Sequence, residues 1–161
     1  MKLIVAVSSD WGIGKDNKLL FSIPRDMKFF RETTTGKRVV LGRNNLESFP
    51  GGRPLKNREN IIFTRDRNFS CENAVIVHSV DEFLEYDKGN ENTFVIGGEQ
   101  IYRQLLPYCD TCYVTKVFES VPCDKFMVNL DESDEWEITE ESEKIEDNGH
   151  IISFVTYKRI K

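Results

Sequence analysis

Histidine is scarce in this chain: His78 and His150 are the only two among 161 residues. Triads built on an imidazole base and His-rich metal sites therefore have little material. Cysteine is scarce as well, limited to Cys71, Cys109, Cys112 and Cys123. Cys109 and Cys112 form a C-x-x-C, but no second C-x-x-C or H-x-H accompanies it to complete a zinc shell. A dithiol redox motif opens a helix after a strand, whereas this one follows "LLPY" and runs into the strand-like "CYVTKVF". All four read as reduced structural thiols, and no metal is expected. Long apolar runs are missing too. "MKLIVAVSSDWG" holds only a short one, insufficient for a signal-peptide core or a membrane span. It reads as a first strand, and the cytoplasm is the expected compartment, with no membrane partner. Positive charge is not in excess: 22 Lys and Arg against 27 Asp and Glu leave a net −5, which argues against nucleic acid as a partner.

Repeats and low-complexity segments are also absent, and the length suits a single domain over residues 1–161 with a substantial core. "LIVAV" (3–7), "RVVLG" (38–42), "NIIFT" (60–64), "AVIVH" (74–78) and "TFVIGG" (93–98) are near-continuous apolar strands. Such runs suit a parallel sheet covered on both faces. Between them lie helical patterns at 22–38, "RNNLESF", "SVDEFLEY" and "EQIYRQLLPY". "TCYVTKVF" (111–118), "EWEITEESEKI" (135–145) and "HIISFVTYKRI" (150–160) follow, and Asn148-Gly149 is a two-residue hairpin signal. The expected fold is α/β, with a mostly parallel sheet ending in an antiparallel hairpin. His150, beside that turn, is expected to be solvated. The acidic stretches "DESDE" and "EESEKIED" read as solvated strand ends.

Several strand ends carry glycine or arginine. "VIGGEQIYRQL" places paired glycines between a buried strand and a helix, where backbone can approach a ligand closely. It lacks G-x-G-x-x-G, so a plain turn and a phosphate site are equally good readings. "LGRNNLES" puts Gly42 and Arg43 at a helix start, and "FTRDR" ends a strand with Thr64 and Arg65. Ligands of open α/β sheets bind beyond the carboxyl ends of strands. Together these ends have the composition of a site for a doubly phosphorylated nucleotide; singly, each arginine reads as a surface charge. The loop "FPGGRPLKNREN" offers Arg53 and Arg58 to a carboxylate. The segment "SSDWGIGKDNKLLFSIP" (8–24) exceeds usual connection lengths and reads as an extended functional loop or lid.

"SIPRDMKFFRETTTGKR" reads as one helix, with Ser22 as cap, Pro24 in the first turn and Gly36 as stop. Stepping about 100° per residue from Ile23 sorts its side chains into two arcs. Arg25, Lys28, Arg31 and Glu32 share one; Ile23, Met27, Phe29, Phe30 and Thr34 share the other. Asp26 projects between Phe29 and Phe30 on the apolar arc. As a first-turn acid it complements the helix dipole. As a carboxylate on an apolar face it requires a partner, and that arc supplies none. A ligand with an N–C–N donor edge, such as an aminopyrimidine, would satisfy it through two charge-assisted bonds, with aromatics covering the flat ring.

In this order and spacing, "LIVAVSSDWGIGKDNKLLFSIPRDMKFF", "GRNNLES", "GRPLKNRENIIFTR", "FVIGGEQIY", "YVTKV" and the closing hairpin resemble dihydrofolate reductases of the bacterial chromosomal type. The resemblance covers nearly the whole chain. It implies an eight-stranded, mainly parallel sheet with about four helices. It also implies hydride transfer from NADPH to 7,8-dihydrofolate, giving tetrahydrofolate, with antifolates as inhibitors and a monomeric chain. Asp26 then matches the acid that binds the pterin ring nitrogen and 2-amino group, with its pKa raised by desolvation and the proton delivered through water. Thr115 matches the threonine bonded to that acid. Met27, Phe30, Phe49 and Leu55 match pocket walls, and Arg58 the arginine for the glutamate α-carboxylate. Val5, Ala6 and Ile96 match the lining of the pterin and nicotinamide pocket. Ile13 and Gly14 belong to the mobile loop over the nicotinamide. Gly97, Gly98, Glu99 and Gln100, followed by Ile101 and Tyr102, match the pyrophosphate turn with its cis Gly–Gly peptide. Arg43, Thr64 and Arg65 match the surroundings of the adenosine and its 2′-phosphate, with Gly42, Asn44 and Asn45 as further cofactor-binding positions.

Three positions depart from that pattern. Phe21 stands at a catalytic position where most bacterial members carry a Trp that helps hold a water, a bond Phe cannot donate. Asn45 replaces a common Thr, and Leu46 a common aromatic. The alternatives are a pyrimidine reductase of riboflavin synthesis on the same fold, a non-catalytic nucleotide-binding module, and a thiol-redox protein. The P-x-D acid and the Arg58 loop separate the first of these from a dihydrofolate reductase.

Overall fold

Along each central strand, consecutive apolar side chains enter two different cores. A computed structural model describes residues 1–161. In β1 (Lys2–Val7), Leu3, Val5 and Val7 join one buried cluster while Ile4 joins another. The same split recurs in β4 (Arg38–Gly42), where Val40 opposes Val39 and Leu41, and in β5 (Glu59–Phe63), where Ile61 opposes Ile62. Near-continuous apolar runs thus form strands because both sheet faces are covered. Each large side chain buried this way contributes roughly 1.5–3 kcal/mol.

In chain order, β2 (Gly12–Lys15), β3 (Lys18–Leu19) and α1 (Pro24–Thr34) lie between β1 and β4. α2 (Arg43–Glu47) joins β4 to β5, and β6 (Ala74–Val77), α3 (Val80–Asp87), β7 (Thr93–Gly97) and α4 (Glu99–Leu105) follow. The chain closes with β8 (Thr111–Val117), β9 (Lys125–Phe126), β10 (Trp136–Glu141), β11 (Ile145–Asp147) and β12 (His150–Arg159). The central sheet runs β10-β12-β8-β1-β7-β4-β5-β6, with β11 also paired to β12. From β8 to β6 all neighbours are parallel; β12 is antiparallel to β8, β10 and β11. Phe83 of α3 and Ile101 and Leu105 of α4 pack on one face. Phe29 and Phe30 of α1 and Leu46 of α2 pack on the other. No helix is long and apolar enough to cross a membrane.

The eight-stranded, mainly parallel sheet, its four helices and the closing hairpin match the sequence-based expectation. The Asn148-Gly149 turn is realised with both residues at positive φ, 52° and 82°, between paired Asp147 and His150. Four details differ. The expected strand 135–145 is two, β10 and β11, both served by the ten-residue β12. The segment 8–24 is not merely extended, because β2 and β3 form a three-stranded sheet with β9. His150 is not free in solvent: its Nδ1 lies 2.6 Å from Glu119 Oε1, and its ring meets Phe21 edge-on at 5.5 Å. Ser22 does not cap α1.

The N-cap of α1 is Ile23, whose side chain has no acceptor. The acceptor comes from the closing hairpin instead. Asp147 Oδ2 takes the Arg25 N–H at 2.8 Å, a cap supplied from 122 residues away. Asn148 Nδ2 donates to Ser22 O at 3.4 Å beside it. Asp147→Ala is therefore expected to cost about 1 kcal/mol of stability, the usual worth of an N-cap, and Asp147→Asn less because it keeps an acceptor. Urea titration of the three proteins measures this, and equal midpoints would exclude the cap.

Cys109 and Cys112 lie in the larger core, whereas Cys71 and Cys123 are partly exposed. Burial pushes the Cys109 thiol up to about 12 and Cys112 higher still, so neither supplies thiolate near neutrality. In the native protein a maleimide is expected to label Cys71 and Cys123 and to reach the other two only in denaturant. Peptide mass mapping reads the result; rapid native labelling of Cys109 would contradict its placement.

Candidate active site

Because β1, β4, β5, β7 and β8 run parallel, their carboxyl ends share one edge of the sheet. Gly42 ends β4, Gly97 ends β7, and Thr64 follows β5 there. Ala6 of β1 sits in register with Thr115 of β8, and Thr115 with Phe154 of β12. α1 crosses this face and delivers Asp26. Thr115 Oγ1 donates to Asp26 Oδ1 at 2.7 Å, linking residues 89 apart in sequence.

That is the only side-chain bond Asp26 makes within the chain, so Oδ2 is left for another donor. Burial holds the Asp26 carboxyl above the ordinary aspartate range, and the Thr115 bond opposes part of that rise. Aromatic rings surround the helix face that carries it. Phe29 lies 4.9 Å from Phe154 and 6.3 Å, edge-on, from Tyr113. The Tyr102 hydroxyl donates to the Ile4 carbonyl at 2.8 Å, and the nearby Asp26 charge adds to the burial that keeps this phenol protonated.

Phe30, Phe49 and Leu55 pack at the edge of the smaller core, partly exposed, as walls of an opening would be. Met27, which helical periodicity assigned to the apolar arc, is 55% exposed. Arg58 lies with its guanidinium carbon 5.8 Å from the Phe30 ring centre. Its Nε donates to Thr34 Oγ1 at 3.0 Å and its Nη1 to Lys56 O at 3.0 Å, so no carboxylate neutralises it. Burial and the neighbouring Arg31 charge lower its pKa, both signs of a cation short of a counter-ion. The loop that presents it is shaped by buried Asn60, which accepts from Leu55 N and donates to Leu55 O and Arg58 O. Asn60 and Thr34 escaped the sequence reading. A polar residue opening a buried strand was the available signal for Asn60, and Thr34 was counted as apolar.

A second group forms at the ends of β4 and β7. The Gly97–Gly98 peptide is cis, and Gly97 has φ 125°, a region L side chains rarely adopt. A Cβ there would press on Asn45 Nδ2 and the Tyr102 ring at 3.3–3.4 Å, whereas one on Gly98 would meet nothing within 4 Å. Asn45 donates to Ile96 O at 3.4 Å, so this departure from the family pattern braces α2 against β7. Leu46, another departure, is simply buried in the smaller core. Gly42 admits Ile101, whose side chain would stand 3.1 Å from an added Cβ.

Not every residue singled out in the sequence presents a side chain here. Val5 and Ile101 are buried in the larger core, which leaves only their main chain for contacts at the edge. Phe21 packs beside Ile23, Val117 and Ile152 and against His150. Arg43 is already paired, with Glu47 at 3.2 Å and Asp66 at 3.1 Å, over the Phe69 ring. Thr64 bonds locally, its hydroxyl to Asp66 N and its carbonyl to His78 Nδ1, while Arg65, Asn44 and Gln100 are exposed. Ile13 and Gly14 lie in β2, where Gly14 pairs with Leu19 and Lys125.

The family model for dihydrofolate reductase matches residues 1–159. The dihydrofolate reductase of Staphylococcus haemolyticus is 39% identical, covering 100% of this chain and 96% of that protein. The enzyme of Bacillus subtilis (strain 168) is 35% identical over 99% of this chain and 94% of its own. Among solved structures, dihydrofolate reductase from Enterococcus faecalis, complexed with NADP(H) and RAB-propyl, superposes with a TM-score of 0.89. That pair shares 34% identity and covers 99% of this chain and 96% of the other. A match of this extent, on a fold whose strand edge brings Asp26, Thr115 and the Gly97–Gly98 turn to one side, means that the chain belongs to the dihydrofolate reductase family.

Proposed function

We propose that this chain reduces 7,8-dihydrofolate to tetrahydrofolate with NADPH, and that Asp26 is the acid on which the reaction turns. The observation that carries the assignment is the partly buried, Thr115-held carboxylate with one oxygen free of any protein donor. A pterin's ring nitrogen and 2-amino group form the matching two-donor edge, and Phe30 supports one side of the pocket. Val5 and Ala6 main chain and Ile96 line its floor, with Met27, Phe49 and Leu55 as walls. Arg58, lacking an internal counter-ion, suits the glutamate α-carboxylate of the substrate.

The cofactor fits the second group. Gly98 offers open approach beside main-chain groups of Glu99 and Gln100, and the family resemblance assigns Arg43 and Arg65 to the 2′-phosphate. When bound, NADPH supplies the hydride. The chain's own residues then bind, orient and exclude water. Asp26, whose carboxyl burial holds above the ordinary aspartate range, anchors the pterin edge and favours a proton on the distant imine nitrogen. Thr115 fixes which oxygen of Asp26 is spent internally. Phe21 replaces a Trp that would hold a water, so proton relay here proceeds without an indole donor at that point. The same reading takes the chain to be a cytoplasmic monomer.

Asp26→Asn is expected to lower dihydrofolate-dependent NADPH oxidation at neutral pH by roughly 10²–10⁴-fold, the usual worth of a positioned acid. Because the Asp26 pKa is raised, the wild-type rate should fall as pH climbs through that value, while the Asn variant should lack this limb. An absorbance assay across pH reads both; unchanged neutral activity in the variant would refute the role. The wild type should also prefer NADPH to NADH. The ion pairs of Arg43 are exposed, each worth about 0–1 kcal/mol, so a 2′-phosphate can replace them while the Phe69 ring stays beneath the guanidinium. Arg43→Ala is expected to raise the KM for NADPH about tenfold, one lost charged bond, and leave that for NADH little changed. Equal losses with both cofactors would remove Arg43 from the phosphate site.

A further inference from the structure

β9 is one of the two edge strands of the small sheet β3-β2-β9, and an edge strand leaves outward amides without a ladder partner. One of these, Phe126 N–H, is taken by Glu99 Oε2 at 2.7 Å. Glu99 is the first residue of α4 and directly follows the Gly97–Gly98 peptide. The flap's other polar contacts near this point are internal to it: Met127 N to Trp11 O, Asp124 N to Gly14 O, and Asp16 N to Asp124 Oδ2. Register carries the attachment inward, because Phe126 pairs with Gly12 and Lys125 with Gly14, and Gly14 pairs in turn with Leu19. A single charge-assisted bond therefore joins the two-residue edge strand, and through it β2 and β3, to the turn at the end of β7.

We propose that Glu99 is a latch, holding the β2-β3-β9 flap against the Gly97–Gly98 turn so that flap position and occupation of that turn are coupled. The coupling rests on the cofactor reading above, in which the turn receives the NADPH pyrophosphate and Ile13 and Gly14 close over the nicotinamide. The carboxylate is thereby a positioning group for the flap. An acid beside a pyrophosphate is electrostatically unfavourable on its own, and engagement with the Phe126 amide gives its negative charge a donor. No other proton donor within the chain bonds that side chain.

Two variants separate the latch from simple charge. Glu99→Gln keeps an acceptor for Phe126 N–H and removes the charge; Glu99→Ala removes both. Amide hydrogen exchange without ligand tests the latch itself. Exchange at Phe126 is expected to quicken about tenfold in Glu99→Ala, one lost charged bond, and about twofold or less in Glu99→Gln. Unchanged exchange in Glu99→Ala would overturn the latch. Stopped-flow release of NADPH tests the coupling, with release expected to be several-fold faster in Glu99→Ala and near wild type in Glu99→Gln. Slower release in both variants would mean that the carboxylate acts only by repelling phosphate, and would overturn the coupling. If the wild type failed to bind NADPH at all, the cofactor reading would fall while the exchange result still decided the latch.

Discussion

A parallel sheet with both faces buried leaves only its strand ends for chemistry, and the rest of this molecule follows from that constraint. Leu3, Val5 and Val7 fill one core and Ile4 the other, so no side chain in the middle of β1 is available to a ligand. Parallel strands also put their carboxyl ends on the same edge, where the main chain turns away and small residues can gather. Gly42 and Gly97 occur at such ends for steric reasons. At one, the backbone must admit Ile101; at the other, φ of 125° and the nearness of Asn45 and Tyr102 leave no room for a side chain. The features proposed to receive a nucleotide are the same features that let helices pack against the strand ends.

α1 faces the opposite problem, having to bring a carboxylate into that apolar setting. Its desolvation is only partly offset by Thr115, and the unspent part is what keeps the Asp26 carboxyl above the usual aspartate range. The helix is not self-sufficient. Ile23 cannot cap it, and Asp147 from the closing hairpin takes the orphan Arg25 N–H instead. His150, on the same hairpin, rests on Phe21 and is tied to Glu119. The closing hairpin thus helps to aim the first helix, and the Asn148-Gly149 turn is short enough to hold both contacts in place. Distance along the chain and distance in function are unrelated here.

Arginine placement separates two kinds of positive charge. Arg38 is paired with Glu59 and buried Asp87 at the amino end of the strands, where Thr93 also bonds Asp87. It is satisfied internally and stitches β4, β5 and α3 together. Arg58 has only neutral acceptors and an adjacent Arg31, which is the electrostatic profile of a residue waiting for an anion. Arg43 lies between these cases, paired but on the surface, where exchange of one anion for another costs little.

Much of this was written in the residues one after another. Apolar runs, the Asn-Gly turn and the paired glycines disclosed the strands, the hairpin and the turn at the end of β7, because each depends on local sterics or on unbroken apolarity. The misplacement of Asp26 among Phe29 and Phe30 was legible from helical periodicity for the same reason, and the family resemblance named its partner Thr115. What periodicity could not reach was every contact made across the sheet. Ser22 looked like a cap because capping is usually local; the cap came from Asp147. His150 looked solvated because a turn adjoins it; packing against Phe21 and Glu119 decided otherwise. β2, β3 and β9 were invisible because two to four residues carry no pattern of their own and exist only by pairing. Local order determined the elements and the odd acid among them, whereas burial, capping and the link from Glu99 to Phe126 were decided by tertiary structure, since each requires two distant segments to share one place.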